Sequence, residues 1–249
     1  MNYQIRIQKI LAQLEATGEV TIKGLAQTLG TAEITIRRDL NQLAADGMLS
    51  RTHGGAIKVN QPELPHRFQN KAAVNQVAKD HICRRAAADI QDGDIIFLDC
   101  GSTVFRLCPF IRNKKIKVIT NSIPVIYALQ DSHVSLNIIG GEFDATRQAI
   151  HGKMATQHIA SYHATKAFVG VDGITPKGLF ANSEKEATIT LAMAAQSRHT
   201  YLLCDDSKIG KATYYQFADL RLVHTLITNA TSDILKPFKK SGIQLISTP

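Results

Sequence analysis

Asp99-Cys100-Gly101-Ser102-Thr103 closes the apolar run IIFL and leads into a helical segment beginning VFRLC. Free backbone N–H groups and two hydroxyls at such a junction favour an anion. Thr120-Asn121-Ser122 repeats the arrangement after a second apolar run, and Gly140-Gly141 after a third lets a backbone approach a ligand with no Cβ between them. Lys208 offers a positive charge, while Asp99, Asp172 and Asp205 offer acceptors for hydroxyl hydrogens. Taken together these groups suit a small, phosphorylated, polyhydroxylated ligand. Each also has a plainer use, since Ser and Thr cap helices and diglycines make turns.

A second chemistry lies near the amino terminus, in TIKGLAQTLGTAEITIRRDLNQLAA (residues 21–45). At 100° per residue, Ile36, Leu40 and Leu43 share one helix face, and Ile34, Arg38, Asn41 and Ala45 fall on the opposite one. That opposite face carries a guanidinium, an amide and apolar groups, and no carboxylate. Arginine bonds guanine or phosphate, asparagine bonds adenine, and an exposed aliphatic group touches a thymine methyl. Ile34, Arg38 and Asn41 are therefore the candidate base readers. Thr35 and Arg37, flanking them, are expected on phosphates, and Thr31 in the preceding turn is grouped with them. The plainer alternative for Ile34 is packing beneath the neighbouring hairpin.

These groups need elements to hold them. Ile22, Leu25, Ala26 and Leu29 recur at i, i+3, i+4, i+7, with Thr21 as N-cap and Gly30 as the turn. Two short helices with a tight turn between them are the helix-turn-helix arrangement. Ile7, Ile10, Leu11 and Leu14 supply a first helix. After the pair, MLSRTHGGAIKV reads as a hairpin about His53-Gly54-Gly55, a wing on which Arg51, His53 and Lys58 face phosphates. The segment VNQPELPHRF, with two prolines and no helical period, reads as a linker. The expected divisions are 1–59 for the DNA-binding domain, 60–73 for the linker and 74–249 for the rest. From about Val74 a helix around Val77, Ile82 and Ala86 precedes seven short aliphatic runs separated by helix-length segments. The runs are residues 95–99, 116–120, 134–140, 166–171, 200–205, 223–228 and 243–247. This texture predicts an α/β domain with a doubly wound, mostly parallel sheet, in which ligands bind beyond the carboxyl ends of the strands.

The chain has 249 residues, 44% hydrophobic, enough for two domains with their own cores. Its net charge of +8 favours polyanionic partners or anionic ligands. Residues 1–59 hold a net of only +2, so the basic excess is not confined to the candidate DNA-binding part. No apolar run approaches the ~20 residues that cross a bilayer, and MNYQIRIQKI lacks a signal-peptide core. Four cysteines without C-x-x-C pairing complete the expectation of a cytoplasmic protein with no metal and no cofactor.

TIRRDL followed by LSRTHGGA closely resembles the DeoR family of bacterial transcriptional regulators. DGDIIFLDCGST, VITNS, GGEF, FVGVDGI and DDSKIGK look like the successive signatures of that family's sensor domain, so the resemblance spans almost the whole chain. It implies a winged helix-turn-helix domain followed by a domain resembling ribose-5-phosphate isomerase, with a phosphorylated sugar as inducer. By the same resemblance the ligand site comprises Asp99, Gly101, Ser102, Thr103, Thr120, Asn121, Ser122, Gly140, Gly141, Asp172, Glu186 and Lys208. One departure concerns the helix after Glu186, where many members carry a lysine and this chain reads EATITLAMAA. The implied function is a repressor of a sugar catabolism operon, binding a double-stranded operator as a homo-oligomer, dimer or tetramer. The alternative is an active sugar-phosphate isomerase with a DNA-binding appendage, for which Asp99, Asp172, Glu186 and Lys208 could supply base and electrophile.

Overall fold

The computed structural model of the chain describes residues 3–45, 49–58 and 71–248. These fall into two units, Met1–Glu63 and Leu64–Pro249.

In the first unit, α1 (Tyr3–Thr17), α2 (Ile22–Leu29) and α3 (Glu33–Ala45) pack their periodic stripes together. Ile10, Leu14, Ile22, Leu25, Ile36, Leu40 and Leu43 make the core. The Thr21 hydroxyl accepts the Gly24 N–H at 3.1 Å, so the cap forms as expected. Gly30, left-handed at φ 60°, ends α2, and the Thr31 N–H closes the turn on the Ala26 carbonyl at 3.0 Å. Asp39 of TIRRDL is buried and takes both arms of the Arg6 guanidinium from α1. The hairpin forms from β2 (Leu49–Arg51) and β3 (Gly55–Lys58). A strand absent from the sequence reading, β1 (Glu19–Thr21), adds to it in the antiparallel order β1-β3-β2. A Cβ at Gly55 would lie 1.9 Å from the Val20 carbonyl oxygen, so that close approach of strands admits only glycine there.

The expected linker lies outside the described residues except for 71–73, which are helical. The side chains of Ala45 and Lys58 also lie outside the description.

In the second unit all seven aliphatic runs are strands of one parallel sheet. They are β4 (Ile95–Leu98), β5 (Lys117–Thr120), β6 (Ser135–Ile138), β9 (Ala164–Val169), β12 (Ser197–Leu203), β14 (Thr225–Thr228) and β15 (Gln244–Ser247). Their order is β15-β14-β12-β9-β4-β5-β6. The period-two alternation of strands splits the core. Ile96, Leu98, Val118 and Phe168 face α4 (Gln76–Ala88), α5 (Ser102–Phe105), α6 (Cys108–Ile111) and α7 (Ile123–Leu129). Phe97, Ile119, Ala167 and Leu202 face α8 (Lys153–Ala160), α9 (Glu184–Ala195) and α10 (Ser232–Leu235). The sheet is thus doubly wound, and the chain reverses its direction of travel across the sheet between β4 and β9. Two small elements went unread in the sequence: the hairpin β7 (Glu142–Asp144) with β8 (Ala149–His151), and an antiparallel sheet of β10 (Gly173–Thr175), β11 (Gly178–Ala181) and β13 (Tyr215–Ala218). No helix among the described residues is long and apolar enough to cross a membrane.

Candidate functional site

A cleft of about 390 Å³ opens beyond the carboxyl ends of β4, β9 and β12. This is the point where strand order reverses, and there the two flanking connections diverge and leave a crevice. Six of the expected ligand residues other than glycine line it: Asp99, Ser102, Thr103, Asp172, Glu186 and Lys208; Gly101 lines it too.

Asp99 clasps the reversal. Its carboxylate accepts the Gly101 N–H at 2.7 Å and the Gly170 N–H at 2.6 Å, tying the ends of β4 and β9 together. Burial raises its carboxyl to about 6, with Asp172 adding repulsion and the two backbone N–H groups opposing. Asp172 accepts the Asn182 N–H at 2.8 Å. Glu186 stands in the first turn of α9, capped by Ser183, and pairs with Arg147 at 2.8 Å. Burial raises Glu186 to about 7; Arg147 and Lys71 oppose the rise, and Asp172 and Asp99 add to it. Lys208 ends a short 3-10 turn whose cap is Asp205, accepting the Ser207 N–H at 3.0 Å.

Five expected ligand residues lie elsewhere, and four of them have structural work. Thr120, Asn121 and Ser122 are fully buried. The Thr120 hydroxyl donates to the Leu98 carbonyl at 2.7 Å, and the Asn121 amide donates to the Ile150 carbonyl at 2.9 Å. Ser122 caps α7 by accepting from the Val125 N–H. Gly140 and Gly141 border a separate shallow groove with Lys153 and His158. Gly141, at φ 152°, lets the chain pass the His151 carbonyl, where a Cβ would come within 2.5 Å. Strand order explains the split: β5 and β6 lie on the far side of the reversal from β9 and β12.

Three cleft cations were missed in the sequence: Lys71, Lys79 and Arg147. Lys79 had a legible signal. Lys79, Ile82, Cys83 and Ala86 stand at i, i+3, i+4, i+7 on the buried face of α4, whereas Val77, expected there, is exposed. A lysine on an apolar stripe marks a buried cation. Arg147, in the turn between β7 and β8, had no such signal. The helix position one turn beyond Glu186 is Thr190, which also lines the cleft. The cations reach this cleft from α4, the turn before it, the β7–β8 turn and the 3-10 turn of Lys208 instead.

All four cysteines are free, and loss of water is the largest cause raising each thiol, Cys108 to about 12. Such thiols hold their protons near neutrality, which gives a redox sensor no thiolate to use. Among the described residues no group of three His, Cys, Asp or Glu could hold a metal ion.

In the first unit, Ile34 is 61% exposed, so it does not pack beneath the wing. Arg38 and Asn41 are exposed beside it, and Arg37 lies 4.0 Å from Glu33. Thr31 and Thr35 are half-buried and His53 is exposed. Arg51, expected on phosphate, has partners within the unit. Its Nε donates to the Asn41 side-chain oxygen at 2.9 Å, and its guanidinium also reaches the Gly55 carbonyl. It therefore pins the wing to α3 and orients the Asn41 amide, leaving the Asn41 N–H₂ for a partner.

Residues 6–62 match the family model described as DeoR-like helix-turn-helix domain, and residues 74–230 match that of the DeoR C terminal sensor domain. The chain is 35% identical over 234 residues to the lactose phosphotransferase system repressor of Lactococcus lactis subsp. lactis, covering 92% of each chain. It is 32% identical over 231 residues to the L-fucose operon activator of Haemophilus influenzae, again covering 92% of each. Among solved structures it is similar to ribose 5-phosphate isomerase from Plasmodium falciparum, at 19% identity and a TM-score of 0.39, covering 52% of this chain and 51% of that one.

Proposed function

The chain belongs to the DeoR family of DNA-binding transcriptional regulators, and on that footing we propose that it represses a sugar catabolism operon until a phosphorylated sugar fills the cleft. The observation that carries this reading is the mixed lining of the cleft: Lys79, Lys208 and Arg147 with the Ser102 and Thr103 residues, together with the carboxylates of Asp172 and Glu186. Cations and hydroxyls suit a phosphate, and carboxylates accept hydrogen bonds from sugar hydroxyls. The relatives, a lactose phosphotransferase system repressor and an L-fucose operon activator, support carbohydrate as the class.

The DNA is held by the first unit. Ile34, Arg38 and Asn41 read bases, Thr31, Thr35, Arg37, His53 and Lys58 grip phosphates, and Arg51 holds wing and helix in register. The protein works as a homo-oligomer, because pairing two half-sites multiplies specificity. Residues 74–249 form its effector-sensing and oligomerisation part, joined to the DNA-binding part by 60–73. The ligand releases DNA only if it binds the DNA-free state more tightly than the bound one.

Isomerase chemistry is not the favoured reading. Proton abstraction needs an unencumbered carboxylate base, and the three acidic candidates each have a partner, Asp99 two backbone N–H groups, Asp172 the Asn182 N–H and Glu186 the Arg147 guanidinium.

The test is a thermal-shift screen of the full chain against sugar phosphates and their unphosphorylated counterparts, followed by fluorescence anisotropy on its own promoter DNA. A phosphorylated sugar should raise the melting temperature and weaken DNA binding, whereas the free sugar should do neither. Turnover of any sugar phosphate in a coupled isomerase assay, abolished in Glu186→Gln, would replace regulation by catalysis.

A further inference from the structure

β6 ends the seven-stranded sheet, and among the described residues no strand lies along its outer edge. On its inner edge the Ser135 and Ile139 N–H groups donate to the Ile116 and Thr120 carbonyls, each at 2.9 Å. Backbone groups alternate along a strand, so Leu136 and Ile138 direct their N–H and carbonyl groups away from β5. The edge carries none of the devices that keep edges apart. Ser135-Leu136-Asn137-Ile138 has no charge and no proline, and its register with β5 is unbroken.

The elements that bound this end of the unit also leave apolar side chains in solvent. Tyr127 on α7, Ile138 on β6, Phe143 on β7 and Met154 on α8 are between 49% and 69% exposed. α7 packs on one face of β6. On the other face the Asn137 amide donates to the Tyr162 hydroxyl at 3.3 Å, and His158 of α8 accepts the Gly140 N–H at 3.2 Å. At about 200 Å² for a large side chain, the four expose on the order of 450 Å² at one end of the sheet. A standard interface takes about 800 Å² from each partner, so this is more than half of one before the open edge of β6 is added. The opposite end differs. Lys239 and Lys240 stand exposed in the turn leading into β15, and Ile234 is the one exposed large hydrophobic between β14 and β15.

We propose that a second copy of the chain covers this end, the two β6 strands pairing antiparallel about a twofold axis at Asn137. The inference rests on the homo-oligomer proposed above and names its surface. A twofold axis perpendicular to a sheet sets a strand antiparallel to its own copy, so one edge can be its own complement. With Asn137 opposite Asn137 of the partner subunit, Leu136 falls opposite the partner's Ile138, and Ile138 opposite the partner's Leu136. Leu136 and Ile138 are the residues whose backbone groups point outward, so each pair exchanges both of its hydrogen bonds and the two sheets become one. The side chains agree with that register. Leu136 packs against the core on the α7 face, and Ile138, two residues on, shares that face, so its cross-strand pairs are aliphatic. No charge within the strand meets a like charge, and the pairing consumes the edge that it uses.

The test uses the full chain as wild type, Ile138→Lys, Asn137→Cys and, at the opposite end of the sheet, Ile234→Lys. Sedimentation velocity reports the mass. The wild type should sediment as a dimer or a multiple of one. Ile138→Lys sets an unpaired charge between the two strands and should weaken association by about tenfold or more. Its mass should halve where the wild type is fully assembled, with unchanged circular dichroism, because Ile138 is exposed in the single copy. Ile234→Lys should keep the wild-type mass. Facing residues that do not exchange hydrogen bonds stand about 4.5 Å apart at Cα, within disulfide reach. Mild oxidation should therefore link Asn137→Cys into covalent dimers that oxidised wild type does not form. Wild-type mass in Ile138→Lys, equal loss of mass in Ile234→Lys, or no cross-link in Asn137→Cys while the wild type is a dimer overturns the inference and leaves an oligomer formed elsewhere. The cross-link decides the matter even if Ile138→Lys fails to fold. A monomeric wild type would bring down the oligomer reading and this inference with it, and would leave sugar sensing untouched.

Discussion

Replacing Glu186 by glutamine should remove a pH dependence that the cleft builds into the stability of the sensing unit. Burial beside Asp172 and Asp99 raises the Glu186 carboxyl from an ordinary 4.5 to about 7, despite the Arg147 guanidinium 2.8 Å away. A carboxyl raised on folding favours the folded state while it is protonated. Its contribution is fully present below the unfolded value near 4.5 and is lost as pH rises through 7. At 1.36 kcal/mol per pKa unit, the loss across that window is about 3 kcal/mol. Glutamine keeps the shape and an oxygen for Arg147 but has no proton to lose. The difference in unfolding free energy between Glu186→Gln and wild type should therefore move by about 3 kcal/mol in favour of the variant between pH 4.5 and pH 8. Urea unfolding at half-unit pH steps, following the transition of the second unit, measures it. Parallel pH profiles for the two proteins would refute the reasoning, because they would mean that Glu186 ionises in the folded protein as it does in water.

Arg38→Ala should weaken binding to the specific operator by about 1–3 kcal/mol and relax the preference at one base pair, read by anisotropy against a set of single-base variants; equal weakening on all sequences would assign Arg38 to the backbone. Arg6→Met leaves Asp39 buried without its guanidinium and should cost about 3–5 kcal/mol in urea unfolding of the first unit. Thr21→Ala should cost about 1 kcal/mol, since it removes the acceptor of the Gly24 N–H. Gly55→Ala drives a Cβ into the Val20 carbonyl, so circular dichroism should show a lower melting temperature and anisotropy a loss of DNA binding. A Gly55→Ala protein with wild-type melting temperature and affinity would show that β1 and β3 do not pair as closely as the structure has them.

Periodicity alone decided a good deal about this protein. The helix-turn-helix pair, its Thr21 cap and Gly30 stop, and all seven strands of the parallel sheet follow from local patterns of apolar residues, because each pattern reports a face that one element must bury. Three-residue strands such as β1 and the β7–β8 hairpin were illegible, being too short to carry a period. The lysine on the apolar stripe of α4 was legible in principle, since a charge at a core position has to serve something within reach.

Which loops share the cleft was decided only in three dimensions. Every strand end offers small polar residues, so Thr120-Asn121-Ser122 and Gly140-Gly141 look as suited to a ligand as Gly101-Ser102-Thr103. Strand order separates them. The chain leaves β4 in one direction to β5 and β6 and returns on the other side to β9 and β12, so the crevice opens between the ends of β4, β9 and β12. The same reversal brings Lys79, Arg147 and Lys208 to one cavity across more than a hundred residues of chain. Hydrogen bonding between strands and packing of helices on both faces fix that order, and both are sums over contacts remote in sequence that no local window contains.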